Sequence, residues 1–359
     1  MNLIKTTLLL VFISSFISCS TSDEEVQEDY IPTPASIEVP QLFANNLLPP
    51  VIPEDNPLTE EGIALGRKLF YDKSLSGNGT QACASCHKPE SAFTDPLQFS
   101  LGSEGDEGFR NSMPLFNMAW NYEQHFFWDG AANSIEEQIF EPVTNPIEMN
   151  NSWENVIATL KSSSEYPTLF RQAFNTENID STHVSKAIAQ FLRTLVSGNS
   201  KFDNYLLGEV TLTESELNGF NVFMSEDKGD CFHCHGNAFN PLWTDNIFHN
   251  NGLDETFDDL GFGAVTGDPR DNGKFKSPSL RNLAHTAPYM HDGRFETIDE
   301  VINHYSEGLV YSETIDPLMK AVAEGGVQLS DEDKADLKAF LLSLSDSSFI
   351  ENPEYQNPN

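Results

Sequence analysis

Cysteine is scarce in this chain of 359 residues, which has only five. Four of them form two pairs with two residues between the partners, Cys83 with Cys86 and Cys231 with Cys234, and the fifth is Cys19. Small secreted scaffolds depend on many cysteines for their disulfides. Such a scaffold is therefore excluded, and the two pairs are left for another kind of chemistry.

Basic residues are also few, with 20 Lys and Arg against 55 Asp and Glu and a net charge of −35. Proteins that bind nucleic acid derive much of their affinity from cations that neutralise phosphates. The charge therefore argues against a nucleic-acid partner. A surface this acidic attracts a basic or dipolar protein, although the same charge also serves solubility alone.

No hydrophobic run in the sequence is long enough to cross a bilayer, which takes about 20 residues. One apolar stretch, 6–18, has about 13 residues and follows a single lysine, as in the core of an export signal. Its end, Phe16-Ile-Ser-Cys19, resembles a bacterial lipobox, which predicts a signal peptide over 1–19 and a lipid on Cys19. The alternative is an ordinary cleaved signal with an incidental cysteine. With the lipid, we expect anchoring on the periplasmic or cell-surface side of a bacterial membrane.

A histidine follows each cysteine pair directly, which gives Cys-x-x-Cys-His twice. This pattern attaches haem c, because two thiols add to the vinyl groups and the histidine binds the iron from one face. Zinc uses the same ligand types at similar spacings, but no other cysteines lie near these pairs to complete such a site. The sequence therefore predicts two covalently bound haem c groups, which also agrees with export. The attachment points are Cys83, Cys86, Cys231 and Cys234, and the proximal iron ligands are His87 and His235.

Strand signals are weak throughout, whereas apolar residues recur at helical spacing before both motifs. The segments that begin at Leu58-Thr-Glu-Glu and at Leu212-Thr-Glu-Ser run in parallel through a Gly, a Phe, the haem motif and a Thr-Asp. In both, the Thr stands where a helix N-cap is expected. Further helices are predicted over 182–195 and from about 330 to 344.

This internal duplication predicts an all-α protein of two cytochrome-c-like haem domains with long loops and with the haems near the domain interface. We expect an N-terminal, peroxide-reactive domain over 58–207 and a C-terminal, electron-transferring domain over 208–347. Residues 20–57 are acidic and contain several prolines, which predicts a tether from the anchor.

Several longer segments stand around the two motifs: Arg110-Asn-Ser-Met-Pro-Leu-Phe-Asn117, Phe127-Trp-Asp-Gly130, Glu137-Gln-Ile-Phe-Glu-Pro142, Asn145-Pro-Ile-Glu-Met149, Pro278-Ser-Leu-Arg-Asn282 and Thr286-Ala-Pro-Tyr-Met-His-Asp-Gly293. In this order they resemble the bacterial di-haem cytochrome c peroxidase superfamily, which also contains MauG, an enzyme that oxidises protein tryptophans. The resemblance covers roughly residues 55–347.

The resemblance implies catalytic roles for three side chains. Glu148 matches the acid that shuttles a proton between the two oxygens of peroxide, a task that a carboxyl over an open iron face can perform. Gln138 and Pro142 match the other positions of that pocket. Trp128 matches a tryptophan that lies between the haems and offers a polarisable route for electrons. The resemblance also implies one calcium ion, on Asn111, Thr286 and Pro288, whose hard oxygen ligands suit Ca²⁺.

The outer ligand of the second haem departs from the peroxidase pattern. In the peroxidases a methionine lies fourteen residues beyond the His that corresponds to His291, and here that position is Tyr305, the arrangement similar to MauG. Met290 is the next candidate. Methionine ligation raises the haem potential, whereas a phenolate stabilises oxidised iron.

A second departure concerns the first haem. Many of the peroxidases have a histidine that blocks the iron until the other haem is reduced, but 99–109 contains none and the first one after His87 is His125. We therefore expect an iron that is five-coordinate or water-bound and reactive without reductive activation, with a mobile His125 as the alternative.

These features favour a di-haem peroxidase that reduces hydrogen peroxide to water with electrons from a small cytochrome c or cupredoxin. One alternative is a MauG-like oxidase that acts on protein side chains, and another is a non-catalytic di-haem electron carrier. The resemblance also implies a homodimer. Arg281 is expected to anchor a haem propionate, and His249 is expected to be a surface or capping residue.

Overall fold

The computed structural model describes residues 30–358, so the predicted signal peptide, Cys19 and residues 20–29 lie outside the described part of the chain. Residues 30–358 form fifteen α-helices: α1 Gln41–Asn46, α2 Glu60–Phe70, α3 Cys83–Cys86, α4 Ile135–Gln138, α5 Phe140–Thr144, α6 Trp153–Ser162, α7 Tyr166–Phe174, α8 Ser181–Thr194, α9 Lys201–Leu206, α10 Glu214–Met224, α11 Phe232–His235, α12 Phe262–Thr266, α13 Ile298–Glu307, α14 Asp331–Ser343 and α15 Ser347–Ile350.

Regular β structure among these residues is limited to one antiparallel pair of short strands, β1 Phe248–His249 and β2 Phe275–Lys276. Short 3₁₀ helices interrupt the loops at Lys73–Leu75, Pro89–Ser91, Met118–Trp120, Pro269–Asp271, Val322–Glu324 and Pro353–Tyr355. The prediction of a helix-dominated protein with long loops is confirmed.

The helix starts that were predicted from the duplicated segments are present. Thr59 caps α2 by accepting a hydrogen bond from the backbone N–H of Gly62, and Thr213 caps α10 by accepting one from Glu216. Both satisfy backbone donors that a helix start leaves free. Helix α8 begins one residue before the predicted 182, after the cap Asp180, and α14 follows the cap Ser330.

The duplication extends to how the helices pack. Helix α2 crosses α8 at Gly66, where an added Cβ would lie 1.9 Å from the carbonyl oxygen of Ala187. Helix α10 crosses α14 at Gly219, where an added Cβ would lie 1.9 Å from the carbonyl oxygen of Asp336. One turn later, Phe70 and Phe223 bury their rings in the two resulting cores.

We expect Gly66→Ala and Gly219→Ala each to lower the free energy of unfolding of the holoprotein by about 1–3 kcal/mol or more, because the helix pairs must move apart. In an uncrowded helix the same change stabilises by roughly 0.5–1 kcal/mol. A loss of stability would therefore show that the glycine is in close contact with the neighbouring helix. Denaturant titration measures it. Gly108→Ala is the control, since its added Cβ meets nothing closer than 3.7 Å. Unchanged stability in both helix variants would contradict the close crossing.

Two hydrophobic cores follow the two halves of the duplication. The first lies on α2, α7 and α8 and contains Leu65, Phe191 and Leu195, and the second lies on α10, α13 and α14 and contains Trp243 and Phe340. The C-terminal segment returns to the first core, where the ring of Phe349 lies 5.7 Å from that of Phe93.

The described part of the predicted tether packs against the rest of the protein. Helix α1 places Phe43, which is fully buried, edge-on against the ring of Trp120 at 5.2 Å. Residue Pro34 pairs with Thr59 in an isolated bridge. Residues 30–57 are therefore not the free tether that their composition predicts, because two apolar side chains, Leu42 and Phe43, fix them to the surface.

Within residues 30–358, none of the helices combines the length and the apolar character that a membrane span requires.

Candidate haem and peroxide site

The first motif occupies the short helix α3 and the residue that follows it. The backbone N–H of His87 donates to the carbonyl of Cys83 at 3.0 Å, which closes the turn. The Nδ1 atom of His87 lies 3.0 Å from the carbonyl oxygen of Phe93. When Nδ1 donates its proton to this carbonyl, Nε2 keeps its lone pair for a metal.

The second motif consists of Cys231, which precedes α11, and the four residues of α11, which ends at His235. The Nδ1 atom of His235 lies 3.2 Å from the carbonyl oxygen of Pro278 and 3.3 Å from the hydroxyl of Ser277. Burial lowers the pKa of His235 to about 4, so its imidazole is neutral. Both histidines are thus held in the tautomer that leaves Nε2 for iron.

The residues around the second motif fit a haem group. Cys231, Cys234 and His235 lie on the wall of a mainly apolar cavity with about 1680 Å³ of empty space, its open mouth included. Burial raises the pKa of Cys231 to about 12, and that of Cys83 in the first motif also to about 12. Cys231 lines this cavity, and both Cys83 and Cys231 keep some exposure to solvent.

The zinc alternative has no support in the side-chain arrangement. Among residues 30–358, no three or more His, Cys, Asp or Glu side chains come together in a way that could hold a metal ion. A haem c site needs only two thiols and one axial imidazole from its motif, and each motif supplies these.

Both candidates for the outer ligand of the second haem face the same cavity. Tyr305, on α13, accepts a hydrogen bond from Nδ2 of Asn251 at 3.1 Å, and the sulfur of Met290 lies 3.5 Å from the same nitrogen. Burial raises the pKa of Tyr305 to about 12 against a smaller opposing effect of Asn251. The phenol therefore keeps its proton unless a metal cation faces it.

Glu148 lies in a loop that several backbone hydrogen bonds hold in place. Its carbonyl accepts from the N–H of Ser103 at 2.7 Å, and the next carbonyl, of Met149, accepts from the N–H of Gly77 at 2.8 Å. The side-chain amide of Asn145 donates to Oε1 of Glu148 at 2.8 Å. The loop thus fixes the carboxyl in one orientation.

The carboxyl of Glu148 is half-buried, and its pKa is raised to about 7 by burial first and by the charge of Glu141 second, while Asn145 opposes both. Its charge in turn raises the pKa of Cys83 and of Cys86. Glu148 is therefore close enough to both cysteines of the first motif to interact with them electrostatically, and its own pKa lies near neutral pH.

Gln138 ends α4 beside a second cavity, which also reaches Met113. The backbone of Met113 interacts with His87. The side-chain oxygen Oε1 of Gln138 is buried and accepts no hydrogen bond from the described residues. Pro142 lies in α5, and its carbonyl accepts a hydrogen bond from the N–H of Met149 at 3.1 Å. This bond connects α5, which follows Gln138 in the chain, to the loop that contains Glu148.

Trp128 is buried at the cavity of the second motif, and its indole N–H donates to the carbonyl of Asn111 at 2.8 Å. Asn111, Thr286 and Pro288 line the same cavity. Asn111 also donates from its side-chain amide to the carbonyl of Leu97 at 3.1 Å. The three residues expected to hold calcium thus all line this one large cavity.

His125 lies beside Lys276, which lines both cavities and donates to the carbonyl oxygen of His125 at 3.1 Å. Its ring packs edge-on against Phe248 at 5.2 Å and Phe262 at 6.2 Å, and it is not among the residues that line either cavity. An unblocked first iron, with a mobile His125 as the alternative, therefore stays a prediction.

Two expectations about charged residues differ from the structure. Arg281 is fully buried and donates to both carboxylate oxygens of Asp203, at 2.7 and 2.8 Å, and to the carbonyl of Pro241, so it is a structural cation. His249 lies on the cavity wall between Asp245 at 2.8 Å and Asp316 at 2.6 Å.

Burial opposes the charge of His249, but the two carboxylates overcome it and raise the pKa of His249 to about 12. The ring is therefore a cation on the cavity wall at neutral pH. The sequence offered one signal for this pair, the four-residue spacing of Asp245 and His249, while Asp316 is distant in the chain.

The chain resembles known proteins over most of its length. A family model described as di-haem cytochrome c peroxidase matches residues 60–211. The methylamine utilization protein MauG of Methylorubrum extorquens is 38% identical over 296 residues, which are 81% of this chain and 80% of that protein. Cytochrome-c peroxidase IdrP1 of a Pseudomonas species is 34% identical over 349 residues, 86% and 89% of the two chains.

A solved structure gives the same result for the fold. The crystal structure of a MauG-like protein associated with microbial copper homeostasis is 37% identical, with a TM-score of 0.79 over 90% of this chain and 99% of that one. The paired Cys-x-x-Cys-His motifs, the neutral histidines beside them and these similarities agree. This chain belongs to the di-haem cytochrome c peroxidase family, which includes MauG.

Proposed function

We propose that this chain is a di-haem c-type peroxidase that reduces hydrogen peroxide to water with electrons from a small redox protein. One observation carries the proposal: the pKa of Glu148 is raised by burial to about 7, and this carboxyl interacts electrostatically with both cysteines of the first motif. A group with this pKa can both take and give a proton near neutral pH. Relatives named cytochrome-c peroxidase support the same activity.

Each haem c is held, in this proposal, by one motif. Cys83, Cys86 and His87 hold the first, and Cys231, Cys234 and His235 hold the second, with Tyr305 as its outer ligand. Bound haem supplies redox-active iron at which peroxide is reduced. The carbonyls of Phe93 and Pro278 orient the two imidazoles toward it.

Glu148 moves the proton in this proposal. Asn145 holds its Oε1, and no described residue donates to Oε2, which is left for substrate. Oε2 takes the proton from one oxygen of peroxide and returns it to the other, which leaves as water. Gln138 offers its unpaired Oε1 as an acceptor for the same substrate.

Trp128 carries electrons between the two haem sites in this proposal. Support comes from its position on the second cavity wall and from its backbone carbonyl, which accepts from the N–H of Lys276 at 2.8 Å. Lys276 lines both cavities. The acidic surface suits a basic or dipolar donor, either a small cytochrome c or a cupredoxin.

We assign the two cores to two cytochrome-c-like haem domains, 58–207 and 208–347, with the haems near their interface. The duplicated helix crossings at Gly66 and Gly219 support this division. A homodimer is part of the proposal and rests on the family alone. Export to the periplasmic or cell-surface side, with a lipid on Cys19, rests on the sequence of 1–19, and mass spectrometry of the mature N-terminus tests it.

A calcium ion bound by Asn111, Thr286 and Pro288 is also proposed. Support comes from the position of all three residues in the lining of one cavity, where Asn111 and Thr286 are buried. We expect one calcium per purified holoprotein and a loss of it in Asn111→Ala, measured by elemental analysis. Equal calcium content in the variant would contradict the site.

A steady-state assay of the purified holoprotein with hydrogen peroxide and reduced cytochrome c tests the function. We expect oxidation of the cytochrome in proportion to peroxide, with two electrons for each peroxide. A reduced cupredoxin is the second donor to assay. A holoprotein with both haems attached that turns over neither donor would overturn the proposal and would favour an electron carrier.

A MauG-like oxidase is the second candidate, and Tyr305 on the wall of the second cavity favours it. Such an enzyme withdraws electrons from a protein side chain instead of from a redox protein. The two functions differ in their reductant. Peroxide consumption that reduced cytochrome c does not accelerate, together with oxidised side chains in a copurifying protein, would favour this candidate.

A further inference from the structure

Lys276 is a buried cation between the two cavities. Lys276 lies in β2, and only 8% of its surface is exposed. It lines the cavity of the second haem motif and also the neighbouring cavity beside Gln138. The backbone N–H of Lys276 donates to the carbonyl of Trp128 at 2.8 Å, which fixes the strand in this wall.

The ammonium group of Lys276 has little compensation. It donates to the carbonyl oxygen of His125 at 3.1 Å and lies 5.8 Å from the centre of the Phe126 ring. Within residues 30–358, it forms no ion pair with a carboxylate within 4.0 Å. Burial lowers the pKa of Lys276 to about 8, and no carboxylate opposes this effect.

Other buried cations in the described chain have anionic partners. The guanidinium of Arg281 pairs with Asp203 at 2.7 Å, and that of Arg193 pairs with Glu136 at 2.6 Å. Since an unpaired buried charge is costly, buried cations are found with anions. Lys276 therefore requires an anion that is not part of the polypeptide.

We propose that Lys276 binds a propionate carboxylate of the haem in the cavity of the second motif, and so takes the role expected of Arg281. The haem edge carries carboxylates, which a lysine ammonium binds as a point charge. The cavity wall that carries Lys276 also carries His235, the proposed proximal ligand. The proposal rests on the haem content of the proposed function but not on peroxide turnover, so an inactive holoprotein would leave it standing.

A positive charge beside a haem favours its reduced form, because reduction removes a positive charge from the iron. We expect Lys276→Met to shift the reduction equilibrium of the His235 haem at least tenfold toward the oxidised form. For a one-electron couple this is a fall in midpoint potential of about 59 mV. Spectroelectrochemical titration of the holoprotein at fixed pH and ionic strength measures it.

Two matched variants separate the propionate contact from a loss of charge in general. Lys276→Arg keeps the cation, so its potential should stay close to that of the wild type. Lys274→Met removes a lysine two residues away, which pairs with Asp271 at 2.9 Å and lines neither cavity, so its effect should be below threefold. Unchanged potentials in Lys276→Met, or an equal shift in Lys274→Met, would overturn the proposal.

A second measurement covers the case in which Lys276→Met yields no holoprotein. Resonance Raman spectra contain a propionate bending mode that responds to hydrogen bonding. Comparison of the wild type with Lys276→Arg, which keeps the positive charge, should show a changed frequency because the guanidinium donates differently. An identical mode in the two proteins would mean that the propionates do not contact this side chain.

Discussion

Replacement of Glu148 by glutamine is expected to lower kcat/KM for hydrogen peroxide by about 10²–10⁴-fold, the usual contribution of a positioned acid–base group. Glutamine keeps the size of the side chain and its hydrogen bonding but cannot carry the proton. The loop that holds residue 148 depends on backbone groups of Ser103, Gly77 and Asn145, which the substitution leaves intact. Haem content and folding should therefore be unchanged.

Glu154→Gln is the matched control for this loss. Glu154 is an exposed carboxylate in the first turn of α6, so its removal changes the net charge equally without touching the site. Its kcat/KM should stay within about twofold of the wild type, as for ordinary surface substitutions. Undiminished turnover in Glu148→Gln would remove this residue from the mechanism.

The pH profile gives a second test of the same residue. Glu148 must begin as a carboxylate to take a proton, so activity should fall as pH drops below the pKa of about 7 and be level above it. Glu141→Gln removes a charge that raises this pKa, and the falling limb should move to lower pH. The limb should be absent in the residual activity of Glu148→Gln. If the fall in activity occurs at the same pH in Glu141→Gln as in the wild type, another group and not Glu148 is responsible for it.

Tyr305→Phe is expected to raise the midpoint potential of the His235 haem by on the order of 0.1 V or more, because axial ligands set haem potentials over a range of about 0.8 V. If Tyr305 is the outer ligand as proposed, the change removes a phenolate that favours oxidised iron. The side-chain nitrogen of Asn251 lies 3.5 Å from the sulfur of Met290 and 3.1 Å from the phenol oxygen of Tyr305. The sulfur is therefore close enough to take the position that the phenol leaves. Histidine–methionine ligation then raises the potential further.

Met290→Leu is the control for this prediction, and it should leave the spectrum and the potential of the His235 haem nearly unchanged. Magnetic circular dichroism in the near infrared identifies the axial ligand in each variant. The opposite pattern, with a large effect in Met290→Leu and little in Tyr305→Phe, would assign the iron to methionine and remove the MauG-like feature.

Local patterns were enough to predict much of this fold. Thr59 and Thr213 cap helices because capping depends on residues three positions apart. The apolar spacing over 182–195 predicts the start of α8 to within one residue. It also predicts which side chains are buried, among them Phe191 and Leu195. The packing of 30–57 could not be predicted, because Phe43 is buried by Trp120, which is far away in the sequence.

The site residues also differ in whether a local sequence pattern predicts them. The motifs fixed Cys83, His87, Cys231 and His235, since haem attachment depends on spacing within five residues. By contrast, Asn251, which joins Tyr305 to Met290, and Lys276, which lies between two cavities, have no local signal. Their surroundings come from segments that meet only in the folded chain. For the same reason the sequence predicts a peripheral His249 and a propionate-binding Arg281, because their partners Asp316 and Asp203 are distant in the chain.

We infer that the first haem has an open iron position in the resting protein, near Glu148. Electron paramagnetic resonance of the fully oxidised holoprotein, recorded before and after one equivalent of peroxide, tests it most directly. We predict one high-spin and one low-spin haem, with the high-spin signal lost on addition of peroxide and without prior reduction. Two low-spin haems that react with peroxide only after partial reduction would contradict the account.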